Sequence, residues 1–115
     1  MRVNCHRQIV FFGNDFLDFY NKQTRKVRTR IDWTLGLVRD LERIPSNYFK
    51  HIEGTELYEI RVSSGSDIFR IFCFFDKGML VIVLNGFQKK TQKTPRKEID
   101  KALKLQKLYK DGQKK

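Results

Sequence analysis

Residues 57–87 read LYEIRVSSGSDIFRIFCFFDKGMLVIVLNGF, and this stretch decides the fold. It opens with alternating polar and apolar residues, continues with an almost wholly apolar run at 68–75, and closes with a third apolar run at 79–87. Two turn-forming segments, Ser-Ser-Gly-Ser-Asp and Asp-Lys-Gly, separate the three runs. Short apolar runs joined by such turns predict an antiparallel meander whose central strand is covered on both faces.

The segments on either side of the meander predict helices. A first strand at 8–12 is followed by a short helix, and a second helix carries apolar residues at a helical spacing between 27 and 41 before Pro45 ends it. After the meander, Thr94 is the expected N-cap and Pro95 the first residue of a last helix. The sequence therefore predicts a single α+β domain spanning residues 1–115: a small, curved antiparallel sheet with an N-terminal helical hairpin and a C-terminal helix.

Positive charge is concentrated at the C-terminal end of the chain. The whole sequence has a formal net charge of +11, and residues 88–115 hold 11 Lys/Arg against 3 Asp/Glu. This distribution predicts a polyanionic partner or an acidic protein partner. Binding to a membrane surface is not expected, because lysines occupy much of the last helix and leave no large apolar face. No apolar run reaches transmembrane length and the start does not resemble a signal peptide, so we expect a cytoplasmic protein.

One arginine lies in the most apolar strand, and it is the first candidate for function. A buried guanidinium is rarely left unpaired, so Arg70 either forms an ion pair with Glu59 or another acid, or opens onto a groove that holds a phosphate. A hairpin that closes between residues 65 and 66 places Arg61 directly opposite Arg70 on one face. A hairpin centred on Gly65 would instead pair Ile60 with Arg70.

Two like charges directly opposite each other destabilise a sheet unless an anion lies between them. The third strand runs beside Arg70 and is followed by Lys89 and Lys90. Cations that converge on one concave face suit phosphodiester chemistry, where catalysis depends on stabilising an anionic transition state. We therefore predict Arg61, Arg70, Lys89 and Lys90 as catalytic residues.

Further candidates for binding an anionic backbone, such as that of RNA, are predicted beside this set, and no metal or cofactor site is predicted. They are Lys50 and His51 in a predicted loop before the meander, and Lys93, Thr94 and Arg96 around the start of the last helix. The sequence contains no glycine-rich phosphate loop, no paired-carboxylate metal site and no Ser/His/Asp set. We therefore expect a reaction that needs neither a metal ion nor a cofactor.

Three segments resemble the RelE/ParE superfamily of bacterial toxins, and most closely its HigB-like branch, also described as phage-derived toxin-like proteins. They are GTELYEIRV at 54–62, FRIF at 69–72 and NGFQKKTQKTP at 85–95. The resemblance implies a type II toxin that cleaves mRNA on the ribosome without metal, using the ribose 2′-hydroxyl as nucleophile. It also implies neutralisation by a cognate antitoxin, commonly a helix-turn-helix DNA-binding protein. By this resemblance, Arg61 and Arg70 hold the scissile phosphate, whereas Lys89 and Lys90 bind the RNA backbone and serve in proton transfer.

The sequence departs from some relatives at the C-terminal end. It has no clear counterpart of their catalytic His or Tyr; Tyr109 is the only tyrosine there, and its position equally suits core packing. Two alternatives stay open: a ParE-type inhibitor of DNA gyrase, and a non-catalytic RNA-binding relative. The arginine and lysine set favours the enzyme, because a gyrase inhibitor has no obvious use for it.

Overall fold

The computed structural model describes residues 6–113. Within this range the elements are β1 (Gln8–Phe11), α1 (Asp15–Asn21), α2 (Arg25–Asp40), β2 (Phe49–His51), β3 (Tyr58–Ser64), β4 (Asp67–Asp76), β5 (Leu80–Lys89) and α3 (Arg96–Gln113). The strands form one five-stranded sheet in the order β1-β5-β4-β3-β2. The predicted α+β class is confirmed, with helices before and after the meander.

The meander of β3, β4 and β5 is antiparallel, as predicted, but the outer strands differ from the prediction. β1 pairs parallel to β5, so the sheet is mixed and not purely antiparallel. The loop prediction for Lys50 and His51 is wrong, because both belong to β2, which pairs antiparallel with β3. A strand of three residues is too short to show an alternating pattern of its own, and its pairing with β3 defines it.

The sheet carries one hydrophobic core on each face. On the first face, Ile31 and Val38 of α2 pack with Ile60, Ile71 and Val83 of the sheet. On the second face, α3 packs through Ala102 against a group that includes Phe72, Phe74, Ile82 and Leu84. β4 contributes buried side chains to both cores, which explains why its sequence is almost continuously apolar.

Side chains from outside α2 satisfy both of its ends. Thr24 accepts a hydrogen bond from the backbone N–H of Val27 at 3.2 Å and so caps the start of the helix. At the other end, Arg7 donates to the carbonyls of Val38, Leu41 and Glu42 at 2.5–3.1 Å. A cation is favourable here, because the carbonyls at a helix C-terminus lack intrahelical donors.

The last helix begins slightly later than predicted. The Pro95 carbonyl accepts a hydrogen bond from the N–H of Glu98 at 3.0 Å, and α3 starts at Arg96, so the proline precedes the helix. The helix runs to Gln113 and includes Asp111 and Gly112, a dipeptide that is typical of turns. No helix in the described part of the chain is long and apolar enough to span a membrane.

Candidate functional site

The two arginines of the meander face each other directly. Arg61 of β3 and Arg70 of β4 are paired residues, and on the other side Arg70 is paired with Phe87 of β5. The hairpin therefore closes between residues 65 and 66, as the symmetric alternative predicted. Alternation places both guanidiniums on the sheet face that α3 packs against, beyond its apolar core. The register alone brings two cations to one place on this face.

A buried carboxylate lies between these two cations. Glu59 Oε2 is 2.8 Å from Arg61 Nε and 3.1 Å from Arg70 Nε, and the Glu59 side chain is only 8% exposed. The predicted ion pair between Arg70 and Glu59 is thus present. Because the same oxygen contacts both guanidiniums, Glu59 also reduces the repulsion between the two opposed arginines.

Arg70 is the more buried arginine and its hydrogen bonding is incomplete. Its Nη1 donates to the carbonyl of Phe69 at 3.1 Å. Its Nε lies within ion-pair distance of Glu59 but is not aligned for a hydrogen bond, and so lacks an acceptor among residues 6–113. Burial lowers the pKa of Arg70; the charge of Glu59 opposes this effect and the charge of Arg61 adds to it. An incoming anion would relieve this unfavourable environment.

Arg61 is more accessible than Arg70. Its side chain is 30% exposed and its Nε donates to Glu59. Within the described part of the chain this is its one side-chain hydrogen bond, so its two terminal nitrogens can receive an anion. Glu59 binds the Nε side of the Arg61 guanidinium, and the side with the two terminal nitrogens is left for an anion.

The two predicted catalytic lysines lie next to Arg70. β5 continues two residues beyond Phe87, so Lys89 belongs to the strand, where it is paired with Ile68. Alternation from Phe87 puts the Lys89 side chain on the arginine face. Together with Lys90 and Arg70, it lines an open depression of about 700 Å³. The structure therefore brings one arginine and both lysines to a single surface.

A second depression lies on the other side of the arginine pair. Its volume is about 500 Å³, and Lys50 and Thr94 line it together with Glu59 and Arg61. His51 borders the same depression, but its ring packs against Tyr58 with 5.1 Å between centroids. Lys50 and Thr94 are thus placed beside the site as predicted, whereas His51 is partly engaged in packing.

The remaining two predicted RNA-binding residues lie outside both depressions. Lys93 is exposed in the loop between β5 and α3, where its carbonyl accepts a hydrogen bond from Thr91. Arg96 is exposed and forms an ion pair with Asp100 one turn along α3, at 3.0 Å. The structure does not bring either side chain to the arginines.

Tyr109 serves packing. Its hydroxyl donates to Asp76 at 2.8 Å, and its ring contacts the rings of Phe12 and Phe74 edge-on. Asp76 ends β4, six residues beyond Arg70, so Tyr109 lies at the far end of the sheet face. Tyr109 therefore does not take the place of the C-terminal catalytic His or Tyr of some relatives.

Sequence reasoning missed one buried amide that positions the lysine loop. Asn85 of β5 is 1% exposed and donates to the Glu98 side chain at 3.2 Å and to the Glu98 carbonyl at 3.3 Å. These bonds attach the first turns of α3 to the strand and so fix both ends of the loop that carries Lys90 and Lys93. The signal was a carboxamide inside an apolar strand, which predicts a buried hydrogen bond.

Comparison with known protein families gives a match that covers most of the chain. The family model described as phage-derived protein Gp49-like (DUF891) matches residues 18–107, a range that contains every predicted site residue. No curated protein matches the chain significantly. The match covers most of the chain, from α1 to α3. The chain therefore belongs to the phage-derived Gp49-like family, a toxin-like family within the superfamily of RelE/HigB-type toxins.

Proposed function

We propose that this protein is the toxin of a type II toxin–antitoxin system and that it inhibits translation as a ribosome-dependent mRNA endonuclease. The observation that carries the proposal is the pair Arg61 and Arg70, directly opposed and joined by Glu59. A structural ion pair needs one cation for one carboxylate. The second cation, together with Lys89 and Lys90, leaves the site with excess positive charge that fits a phosphodiester.

The chemistry follows from where the cations lie. The 2′-oxygen of the ribose attacks the adjacent phosphorus, the bond to the 5′-oxygen breaks, and the products are a 2′,3′-cyclic phosphate and a 5′-hydroxyl. The phosphoryl oxygens gain negative charge in the transition state, and Arg61 and Arg70 stabilise it there. One lysine of the pair Lys89 and Lys90 takes the proton from the attacking 2′-hydroxyl, and the other gives a proton to the leaving 5′-oxygen. Glu59 orients both guanidiniums before the substrate arrives, which reduces the reorganisation that the reaction requires.

Reconstituted translation tests the proposal. Purified protein is added to translating ribosomes, and breaks in the mRNA are mapped by primer extension. Arg70→Ala is the test variant and Lys107→Ala is the matched control, because Lys107 is an exposed cation near the end of α3. We expect cuts at the ribosomal A site, about 100- to 1000-fold slower cutting by Arg70→Ala, and unchanged cutting by Lys107→Ala.

The opposite results have clear meanings. Intact mRNA with the unmodified protein would refute the enzyme, and a DNA gyrase supercoiling assay would then test the ParE-type alternative. If Arg70→Ala cuts at the normal rate, the phosphate site is assigned to the wrong residues. A melting curve of each variant shows that it is folded before its activity is compared.

The proposed function also implies a protein partner. We propose that a cognate antitoxin, commonly of the helix-turn-helix type in the HigB-like branch, neutralises the protein. Membership of a toxin-like family supports this proposal. Co-expression with the gene beside it, followed by co-purification and a growth assay, tests it: a neutralising partner restores growth and elutes together with the toxin.

A further inference from the structure

A second basic surface lies on the opposite side of the sheet from the arginine site, and it includes an exposed aromatic ring. Trp33 of α2 is 44% exposed. The Arg30 guanidinium lies over its indole, with 4.5 Å between the guanidinium carbon and the ring centroid, and the Tyr48 ring meets it edge-on at 5.5 Å. Arg25 and Lys26 precede Arg30 on α2. We call the surface formed by Arg25, Lys26, Arg30, Trp33 and Tyr48 the Trp33 surface.

The cations of this surface have no carboxylate partner within the described part of the chain. None of the ion pairs among residues 6–113 involves Arg25, Lys26 or Arg30. Lys26 and Arg30 are four residues apart on one helix, a spacing at which like charges repel. No carboxylate among residues 6–113 compensates this repulsion, so the surface has a net positive charge that would attract an anionic ligand.

Arg30 is also held in place before any partner arrives. Its Nε donates to the carbonyl of Ser63, near the end of β3, at 3.0 Å. This bond and the contact with Trp33 fix the guanidinium, so little side-chain entropy is lost when a ligand binds. The guanidinium covers one face of the indole, so a nucleobase can stack on the outer face of the guanidinium or on the part of the ring that stays exposed.

The Trp33 surface adjoins the arginine site around one edge of the sheet. The backbone N–H of Arg61 donates to the Tyr48 carbonyl at 2.8 Å, while the Tyr48 ring contacts Trp33. Ser63, which anchors Arg30, is two residues beyond Arg61 on the same strand. Tyr48 therefore connects the two surfaces, and an RNA strand that leaves the arginine pair at this edge would pass Tyr48 before it meets Trp33.

We propose that a single RNA strand whose phosphate lies on Arg61 and Arg70 continues around this edge and stacks an unpaired base on Trp33. Arg25 and Lys26, which both lie towards the start of α2 from Trp33, then bind phosphates of the strand on that side of the base. Three unpaired cations without an interleaved carboxylate favour a polyanion over a protein, and an accessible indole favours an unpaired base over a duplex. The proposal rests on the proposed function for the identity of the strand, but its test does not require cleavage.

The experiment uses the fluorescence of Trp33, which is the only tryptophan of the chain. A single-stranded ten-nucleotide RNA with 2′-O-methyl riboses, which cannot be cleaved through the 2′-oxygen, is titrated into the full-length protein. We expect saturable quenching of Trp33 by this RNA and none by a dinucleotide that occupies only the arginine site. Lys26→Glu should weaken binding strongly, and Lys107→Glu, an exposed cation of α3, should weaken it much less.

A second variant tests stacking separately from charge. Trp33→Leu removes the ring and keeps an apolar side chain, and binding is followed by the anisotropy of labelled RNA. We expect binding weakened by roughly tenfold, because one base stacked on an aromatic ring contributes about 1–3 kcal/mol. Since Trp33 is half exposed, the variant should melt close to the unmodified protein.

Four results would overturn the proposal. They are RNA binding without quenching, normal binding by Trp33→Leu, equal quenching by duplex RNA, and stronger quenching by an acidic peptide, which would identify a protein-docking surface. The two proposals also fail separately. Quenching without cleavage on ribosomes would refute the enzyme and keep the stacking surface, whereas cleavage without quenching would do the reverse.

Discussion

Glu59→Gln is the most informative single change, because it removes the negative charge between two cations and keeps the side-chain shape. Glu59 is 8% exposed and contacts Arg70 and Arg61, whose side chains are 10% and 30% exposed. Breaking a buried ion pair costs about 3–5 kcal/mol. Solvent at Arg61 screens part of this interaction. We therefore expect a loss of about 2–3 kcal/mol in the free energy of unfolding, or roughly 8–12 °C in Tm for a domain of this size.

The same reasoning predicts how phosphate affects the variant. Without the carboxylate, Arg61 and Arg70 repel each other across the strands, and inorganic phosphate can take its place. A ligand that binds only the folded state raises stability in proportion to the logarithm of its concentration above Kd. Phosphate should therefore raise the Tm of Glu59→Gln clearly more than that of the unmodified protein, when ionic strength is held constant with chloride.

Thermal melts at several phosphate concentrations are the assay, and Glu56→Gln is the matched control. Glu56 carries the same chemical change at a position that is 70% exposed, where its partner is Lys110. The control should lose less than about 1 kcal/mol and gain nothing specific from phosphate. If Glu59→Gln melts with the unmodified protein and responds equally to phosphate, Glu59 does not hold the arginines and our account of the site is wrong.

Two further predictions concern packing and pH. Gly86→Ala should lose about 1–3 kcal/mol in the free energy of unfolding, because a Cβ there would lie 2.6 Å from the Phe19 ring. Gly36→Ala should be neutral or stabilising, because Gly36 is inside α2 and the nearest atom to its new Cβ would be Arg39 Nη2 at an ordinary contact distance of 4.0 Å. Chemical denaturation of both variants would show the contrast, and equal stabilities would contradict it. The hydrogen bond to Asp76 raises the pKa of Tyr109. The bond should contribute about 1 kcal/mol to the free energy of unfolding, and this contribution should be constant between pH 7 and about pH 10 and lost as the pH rises through the raised pKa. The difference in stability between the unmodified protein and Tyr109→Phe, measured from pH 7 to 11, should therefore shrink only at the alkaline end, and a difference that already varies near neutrality would count against this assignment.

Much of the site followed from local pattern. The turn sequence between β3 and β4 allowed two registers, and for each of them a period of two determines which residues share a face. The symmetric register, which places Arg61 opposite Arg70, is the one that the structure has. Lys89 and Lys90 were predictable in the same way, since they lie at the end of a strand that must run beside Arg70. Pattern could not decide between Glu59 and a phosphate as the counter-charge, because that choice depends on side-chain conformation.

The sequence by itself determined the α+β class and the meander, since both depend on residues close together in the chain and on a simple period. It allowed two registers for the hairpin of β3 and β4, and the structure decided that Arg61 lies opposite Arg70. Only the tertiary structure decided that β1 joins β5 in parallel, that Phe49 starts a strand, and that Trp33 meets Tyr48 beside the arginine site. These contacts join segments far apart in sequence, and they form because packing two cores on one sheet brings those segments together. No local pattern encodes which distant partner a short strand or an exposed ring will find.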